Sequence, residues 1–586
     1  MKNWKLILLI LLLGLMVRVP FMSGKGCPGD IAWWVLWGKY ASDHGVVEMY
    51  DNVKCDYAPA FMYVLKLLHN TFARFSPPER DLTREGMTYD QIIKICYDPG
   101  FLRIIYKIPS VVADLITGLI LFLLVLRLKD RRWAAIITSI YIFNPIIIYD
   151  SAYWGQIDTI YTMFALASVW AAMERKWWLT GIIFALALTK LQAIVISPLL
   201  FAIIVKKGGR DAIAKAGMGL VLAFAAIFMP FLIKGRMDII TRVYMGLVGS
   251  YPFRIMYAHN LWWLIEGGKS WAHYDTSFVG GLIQAKLLGF VLLGTSVMAI
   301  FTALLCKKEL LWEDTLISGA ALVFSFYCLA TQMHDRYLFM AFIFLATLII
   351  YNRKMLWVYI VTSLGFLFTM IITIFLTYPD QRNFLWPGDT GQIIIGSIVS
   401  VMNIIILVFL IIRLAKKDWI PYVAAAIVLV LGFAYGIYSC KSLGKEPIPI
   451  TKISPTKINQ DFGELQINRN ADGNRMWIGG MSFKNGMGVR ATSKVLYVLP
   501  KGRFSYVAGY CGRDDRIGGL SNKMRFSIWD DNNNMLFDSG DLQGILYPRY
   551  FNVDIRGKER IWFLLNEGGD GKAKDNGNWA NVILYP

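Results

Sequence analysis

Apolar runs long enough to cross a hydrocarbon layer recur along the first 440 residues, separated by short polar turns. A crossing needs roughly 17–25 mostly apolar residues, because in lipid a helix must satisfy its own backbone polar groups. The runs are 5–22, 103–126, 133–150, 157–173, 178–189, 191–205, 212–232, 281–305, 314–330, 337–351, 355–377, 392–413 and 419–438, about thirteen in all. The fifth and sixth read as a hairpin with short or bent arms. After Ser439 the pattern changes to strand-like alternation: Lys494 to Leu499, Met524 to Trp529, Tyr550 to Ile555 and Arg560 to Leu565, with turn clusters such as Asp530 to Asn534 and Gly568 to Gly571 between runs. Such alternation predicts an antiparallel sandwich or jelly roll. The expected architecture is a polytopic α-helical membrane region over 1–440, a linker over 441–464 around Lys445-Glu446-Pro447-Ile448-Pro449, and a C-terminal all-β domain over 465–586.

Charge orients the spans. Arg127 to Arg132, Glu174-Arg175-Lys176, Lys206 to Arg210, Lys307-Lys308, Arg353-Lys354 and Arg413 to Lys417 fall at every second boundary. With Lys2 and Lys5 they form the cytoplasmic side, and an odd count puts the C-terminus outside. Residues 58–76 are apolar enough to tempt a span assignment, but counting them would invert every later loop. The segment 23–102 is therefore expected as one large outer loop, with 58–76 an amphipathic helix on the membrane surface. Further outer segments are 233–280 and 378–391.

Composition agrees. Of 586 residues 56% are hydrophobic and 17% charged, against roughly 25% charged in soluble domains. The net charge of +19 is accounted for by the cytoplasmic clusters, so no nucleic-acid partner is expected. The first 21 residues have a basic start and an apolar run without a small-residue cleavage site, and Ser23-Gly24-Lys25-Gly26 is a poor lipobox before Cys27. They read as a retained span in an integral membrane protein, with a bacterial cytoplasmic membrane the expected setting.

Polar residues at the outer boundary are the candidates for chemistry. The first set is Cys27-Pro28-Gly29-Asp30 with Trp33, Trp34 and Trp37. Asp30 suits a general base in a sheltered site, or an N-cap opening a juxtamembrane helix. The second set is Asp56-Tyr57-Ala58-Pro59, equally a helix start. The third is Gln332-Met333-His334-Asp335-Arg336-Tyr337, where Arg336 offers a planar fork for phosphate and the competing reading is a loop ion pair. Gly155-Gln156-Ile157-Asp158 adds an amide and an acid. Lys190, at the turn between the fifth and sixth spans, is either a buried functional cation or a snorkelling side chain. Cys27, Cys55 and Cys96 share the first outer loop, where one pair is a candidate disulfide with the partner undetermined.

Those residues carry a resemblance over roughly 1–440. The chain resembles the GT-C superfamily of glycosyltransferases that use polyprenyl-phosphate-linked sugars, in particular bacterial Gpi18-like mannosyltransferases and the dolichyl-phosphate-glucose transferases. The matching features are Gly29-Asp30 with Trp37, Asp56-Tyr57-Ala58-Pro59 (Ala where the family has Pro), Asn144-Pro145 through Tyr153-Trp154-Gly155-Gln156-Ile157-Asp158, Asn260-Leu261-Trp262 and Gln332 to Arg336. The resemblance implies a hexosyltransferase that inverts configuration, with Asp30 as general base. It places the donor phosphate on His334 and Arg336, helped by Lys190 or Arg18, and gives Asp56, Tyr57, Gln156, Asp158, Asp335 and Asn260 positioning roles. No catalytic metal is implied. The partners would be a polyprenyl-phosphate-linked sugar, the bilayer, and a glycan, lipid or protein acceptor.

Residues 465–586 resemble the NPCBM family, a carbohydrate-binding type with a galactose-binding-like jelly roll. The matches are Ile478-Gly479-Gly480, Phe483, Gly486-Met487-Gly488, Ile528-Trp529, Phe537 to Gly540, Gly569-Asp570-Gly571 through Asp575, and Asn578-Trp579-Ala580; Arg490 stands where the family has His. Trp477, Tyr510, Arg513 and Tyr547 are the sugar-contact candidates, against a reading in which such aromatics pack the core. Asp570 and Asp575 are candidates for a structural Ca²⁺. The alternative function is a transporter or flippase of lipid-linked sugars. The absence of an internal repeat, and the gathering of polar residues at one boundary, favour the enzyme.

Overall fold

The computed structural model describes residues 2–53, 55, 57–72, 100–246, 253–268, 270, 278–279, 283–378, 381–416, 418–442, 447–479, 481–515, 523–543, 548–567 and 576–585. Its first part is a helical bundle. Among the described residues six helices are long and apolar enough to cross a membrane, or seven if the bent pair Arg131–Ile142 and Pro145–Trp154 is one crossing. The other segments expected to span form shorter helices, including Asp158–Met173, Trp177–Ala187 and Ala341–Leu348. The fifth-to-sixth hairpin appears as Trp177–Ala187 followed by a 3₁₀ turn, Leu191–Ile196. Helix Ser197–Ile233 breaks at Gly209, which adopts φ 67°, so its two arms follow the sixth and seventh runs.

The run at 133–150 divides where Asn144 caps a new helix with its side chain and Pro145 takes the first position. Pro is tolerated there because that N–H has no helical partner. The chain then widens into a π-helical turn, Tyr149–Trp154, ending at Gly155 with φ 87°. Side chains pack this bundle densely: Phe324, Tyr327, Phe339, Phe342 and Phe344 are all fully buried.

Residues 23–72 form three short helices, Pro28–His44, Val46–Asn52 and Pro59–Phe72. Pro59–Phe72 realises the amphipathic segment. Phe61, Met62 and Leu65 on one face are buried, while Leu67 on the other is 66% exposed. Helix Pro28–His44 packs on it through Trp34, whose ring meets Phe61 edge-on at 6.0 Å. No disulfide joins Cys27 to Cys55, and Cys96 lies outside the described residues.

The C-terminal part is an antiparallel sandwich of two sheets, six-stranded and five-stranded. Strands alternate as the sequence predicts: in Lys523–Asp530, Met524, Phe526 and Ile528 are buried. Phe526, Phe551 and Phe563 meet Trp579 edge-on at 5.2, 5.5 and 4.9 Å, the geometry favoured by ring quadrupoles. The expected linker is shorter than 441–464. Helix Ile420–Ser442 runs into it, Ile448–Pro449 pairs with the last strand, and Lys457–Gln460 pairs with Ser493–Val498. Prolines misled here, because an edge strand accommodates them as readily as a linker does.

Candidate functional site

Asp30 lies in the first turn of helix Pro28–His44, where Cys27 is extended and Pro28 takes the first position. The competing N-cap role for Asp30 falls, since Cys27 occupies that place and Asp30 reaches elsewhere. Its Oδ2 accepts the indole N–H of Trp154 at 2.8 Å and a hydrogen bond from the Gln156 amide. Both donors follow from the π-helical turn, a local widening that often marks functional sites. The N–H groups of Gly155 and Gln156 both donate to the Asp150 carbonyl at 2.9 Å, which holds the two side chains on one side. The carboxylate is half-buried, and near a helix N-terminus its charge is favoured.

His334 and Arg336 come from a different construction. After helix Trp312–Leu329, Gln332 adopts φ 61°, an uncommon conformation for a non-glycine, and its N–H donates to Phe253 at 3.1 Å. Met333–His334 then pairs in parallel with Ile255–Met256. This two-residue ladder fixes the start of the His-Asp-Arg run. Arg336 Nε lies 3.8 Å from Asp158, and its Nη1 lies 3.7 Å from Asp335. Asp30 is also within Coulombic reach of Arg336. Burial pushes the His334 imidazole below its ordinary range, with Asp335 opposing, so His334 is neutral near pH 7.

Lys190 does not snorkel. It is buried, and its Nζ lies 2.7 Å from Asp158 with the rings of Tyr57, Tyr161 and Tyr337 at 5.6, 5.5 and 5.9 Å. Lys190, His334 and Arg336 share a cleft of about 220 Å³ with Tyr57, Gln192, Lys286, Gln332 and Tyr337. Its remaining wall is apolar and includes Leu191, Ile194, Phe290, Leu293 and Phe326. Ile194 and Phe290 are 48% and 52% exposed, so this wall reaches the bundle surface, along a helix (Ala285–Cys306) apolar enough to face lipid. A cationic pocket joined to an apolar, lipid-facing wall is suited to an anionic head group on an apolar tail.

Two expected site residues are elsewhere. Arg18 is fully buried against Asp114 at 3.0 Å and donates to the Gly14 carbonyl at 3.0 Å, so it is committed inside the bundle. Asn260 is fully buried, caps the short helix Leu261–Ile265 and donates to the Tyr327 carbonyl at 2.8 Å, away from the residues that line the cleft. Asp56 lies outside the described residues. Sequence reasoning overlooked Trp154, although a buried indole N–H needs an acceptor and Asp30 was the acid at hand. It also overlooked Lys286 and Gln192 in the cleft.

In the β-domain Tyr510 is buried between Phe483 and Tyr550, at 5.7 and 5.3 Å; it packs the structure rather than presenting a face to sugar. Arg513 is 7% exposed and also buried. Trp477 is half-buried, and its indole N–H has no partner among the described residues. Tyr547, Asp570 and Asp575 lie outside the described residues. No group of three or more metal-ligating side chains occurs among the described ones.

Residues 38–265 match the family model of the GPI transamidase subunit PIG-U, and residues 448–585 match the NPCBM/NEW2 domain. The PIG-U match contains Tyr57, Gln156, Asp158 and Lys190, and stops short of Asp30 on one side and of His334 and Arg336 on the other. No curated protein matches the chain. Among solved structures, the CBM51 module of Clostridium perfringens GH95, solved with methyl-galactose, is 25% identical; the match covers 24% of this chain and 99% of that one, with TM-score 0.23. A CBM51-2 and INT structure from Clostridium perfringens ZmpB, solved with GlcNAc, is 15% identical over 24% of this chain and 32% of that one, with TM-score 0.23. The tandem CBM51 modules of Sp3GH98 from Streptococcus pneumoniae are 14% identical over 24% and 46%, with TM-score 0.21. A PIG-U-like helical membrane region and an NPCBM-like β-domain therefore share one chain.

Proposed function

We propose that the chain is a membrane glycosyltransferase that moves a hexose from a polyprenyl-phosphate donor to an acceptor hydroxyl on the extracytoplasmic side. One observation carries the reading. A carboxylate held, among the described residues, by the neutral N–H donors of Trp154 and Gln156, that of Asp30, lies within Coulombic reach of Arg336, which lines a cationic cleft with an apolar wall at the bundle surface.

In this mechanism both described bonds to Asp30 go to Oδ2, leaving Oδ1 to take the acceptor's proton. The acceptor oxygen attacks the anomeric carbon as the bond to the phosphate oxygen breaks, inverting the centre. The electron pair leaves on a phosphate that already carries charge, so cations near it suffice and no acid need protonate it. Arg336 and Lys190 supply those cations, and neutral His334 supplies a hydrogen-bond donor. The β-domain would hold the acceptor glycan on the same side of the membrane.

The test supplies purified chain with polyprenyl-phosphate-mannose, -glucose or -galactose and a membrane extract as acceptor. Transfer by the wild type that is nearly abolished in Asp30→Asn, with donor binding retained, supports the reading; wild-type transfer by Asp30→Asn overturns it. A second reading, a subunit that holds a lipid-linked glycan without transferring sugar, is favoured by the PIG-U match, which excludes Asp30, His334 and Arg336. It predicts donor binding and no transfer from any donor.

A further inference from the structure

Lys107 is a buried cation that the mechanism above does not use. It is fully buried in helix Gly100–Leu128, and its ammonium donates to two backbone carbonyls, Gly24 at 2.9 Å and Tyr153 at 2.7 Å. Neither of these contacts is a carboxylate. A buried ammonium is expensive unless its hydrogens are used, so its place between these two carbonyls needs explaining.

The two carbonyls belong to the segments that build the Asp30 site. Gly24 opens the loop that launches helix Pro28–His44, with Asp30 in its first turn. Tyr153 precedes Trp154, whose indole holds Asp30. The segments press directly on each other: a Cβ on Gly26, where φ is 55°, would collide with the Tyr153 carbonyl, and one on Gly24 would approach the Tyr153 ring to 2.8 Å. Gly155 leaves room for the Lys107 stem, which a Cβ there would meet at 2.6 Å. A lighter tie runs alongside, since Gln381 bonds both the Gly26 carbonyl and the Tyr153 hydroxyl, at 3.3 and 3.4 Å.

We propose that Lys107 is a positioning residue that cross-ties the Gly24 loop to the Tyr149–Trp154 turn and so sets the Trp154–Asp30 hydrogen bond. The proposal rests on Asp30 being the base, and it places Lys107 in contact with neither substrate. An error of about 1 Å in such a constellation costs on the order of 100-fold in rate.

The experiment compares wild type, Lys107→Met, Trp154→Phe and the double variant in the transfer assay, with hydrogen–deuterium exchange on each. In Lys107→Met, kcat falls roughly 10–100-fold while donor KM stays within about twofold. The double variant is no slower than the slower single variant, because both act through one hydrogen bond. Independent, multiplying losses, or a rise in KM with kcat unchanged, overturn the proposal. If Lys107→Met fails to fold, Lys107→Gln, which keeps an N–H donor on a shorter stem, replaces it; the clamp then predicts a smaller fall in kcat at unchanged donor KM, and a rise in KM with kcat unchanged overturns it. Exchange separates this proposal from the functional reading. If the wild type transfers nothing, the enzyme reading fails, yet faster exchange in 24–30 and 149–157 of Lys107→Met, with Asp158–Met173 unchanged, still supports the clamp. Unchanged exchange in those two segments overturns it.

Discussion

In the helical region Arg18 lies against Asp114 and Lys190 against Asp158, each pair buried. In the β-domain Asp514 is just as buried, but it is met by the amides of Asn470 and Asn578 at 3.2 and 2.6 Å. A sandwich edge can lend amides and backbone N–H groups to a carboxylate, whereas a helix in a bundle has spent its backbone donors on itself. Asp114 and Asp158 are accordingly met by a base, and a second solution is donors brought in from an irregular turn. Asp30 belongs to the second kind. Its donors are Trp154 and Gln156 from the π-helical turn and the residues after it, so its lone pairs are not committed to a contact cation as those of Asp114 and Asp158 are. That difference separates the residue suited to accept a proton from those that hold the frame.

The sharpest way to break this contrast is Asp30→Asn. Losing a placed base lowers turnover by roughly 10²–10⁴, with donor binding unchanged, measured by transfer of labelled sugar. Next is Lys190→Met, which removes the nearer cation from Asp158 and leaves the Arg336 guanidinium at 3.8 Å. Breaking a buried pair costs about 3–5 kcal/mol, read as thermal stability in detergent. The double variant Lys190→Met/Asp158→Asn is expected to recover much of that loss, because the carboxylate that lost its nearer cation is gone; no recovery would mean that Arg336, 3.8 Å from Asp158, compensates the carboxylate by itself. Arg336→Lys keeps the charge and loses the planar fork. It is expected to raise donor KM about tenfold while leaving stability unchanged, a difference that marks Arg336 as a cation that serves the ligand alone and Lys190 as one that also holds the frame through Asp158.

Much of this contrast could be read along the chain, and the unread part has a physical cause. Apolar runs located the helical region, and alternation located the strands, because both depend on near neighbours. Asp30, Lys190, His334 and Arg336 were singled out because charged residues at the end of an apolar run are conspicuous. The partners were not, since they are joined over long separations: Lys190 to Asp158, Trp154 to Asp30, and Ile255–Met256 to Met333–His334. The partners of Arg18 and Asn260 were hidden for a related reason. Sequence placed Arg18 near the outer end of the first span and Asn260 in an outer segment, but said nothing about which face they occupy or which carbonyl they meet. The π-helical turn was signalled only by Asn144-Pro145, which marks a helix restart and not the widening that follows.

The smallest expected effect tests the β-domain side of the contrast. Asp530 is buried at a strand end. The Lys558 ammonium 2.6 Å away, with N–H groups from Asn532 and Asn534, holds its carboxyl well below the usual carboxylate range against the opposing effect of burial. A carboxyl depressed in the folded state binds fewer protons there than in the unfolded chain. Its contribution is therefore fully present above the unfolded value of about 3.9 and is lost as pH falls below it toward the folded value. The β-domain transition in a thermal melt of the whole chain is thus expected to fall between about pH 4 and pH 2, and Asp530→Asn should flatten that fall while lowering the transition modestly at pH 7. An unchanged acid slope would mean that other carboxylates govern it, and that the Lys558 pair is a passive surface contact rather than a counterpart to the buried pairs of the bundle.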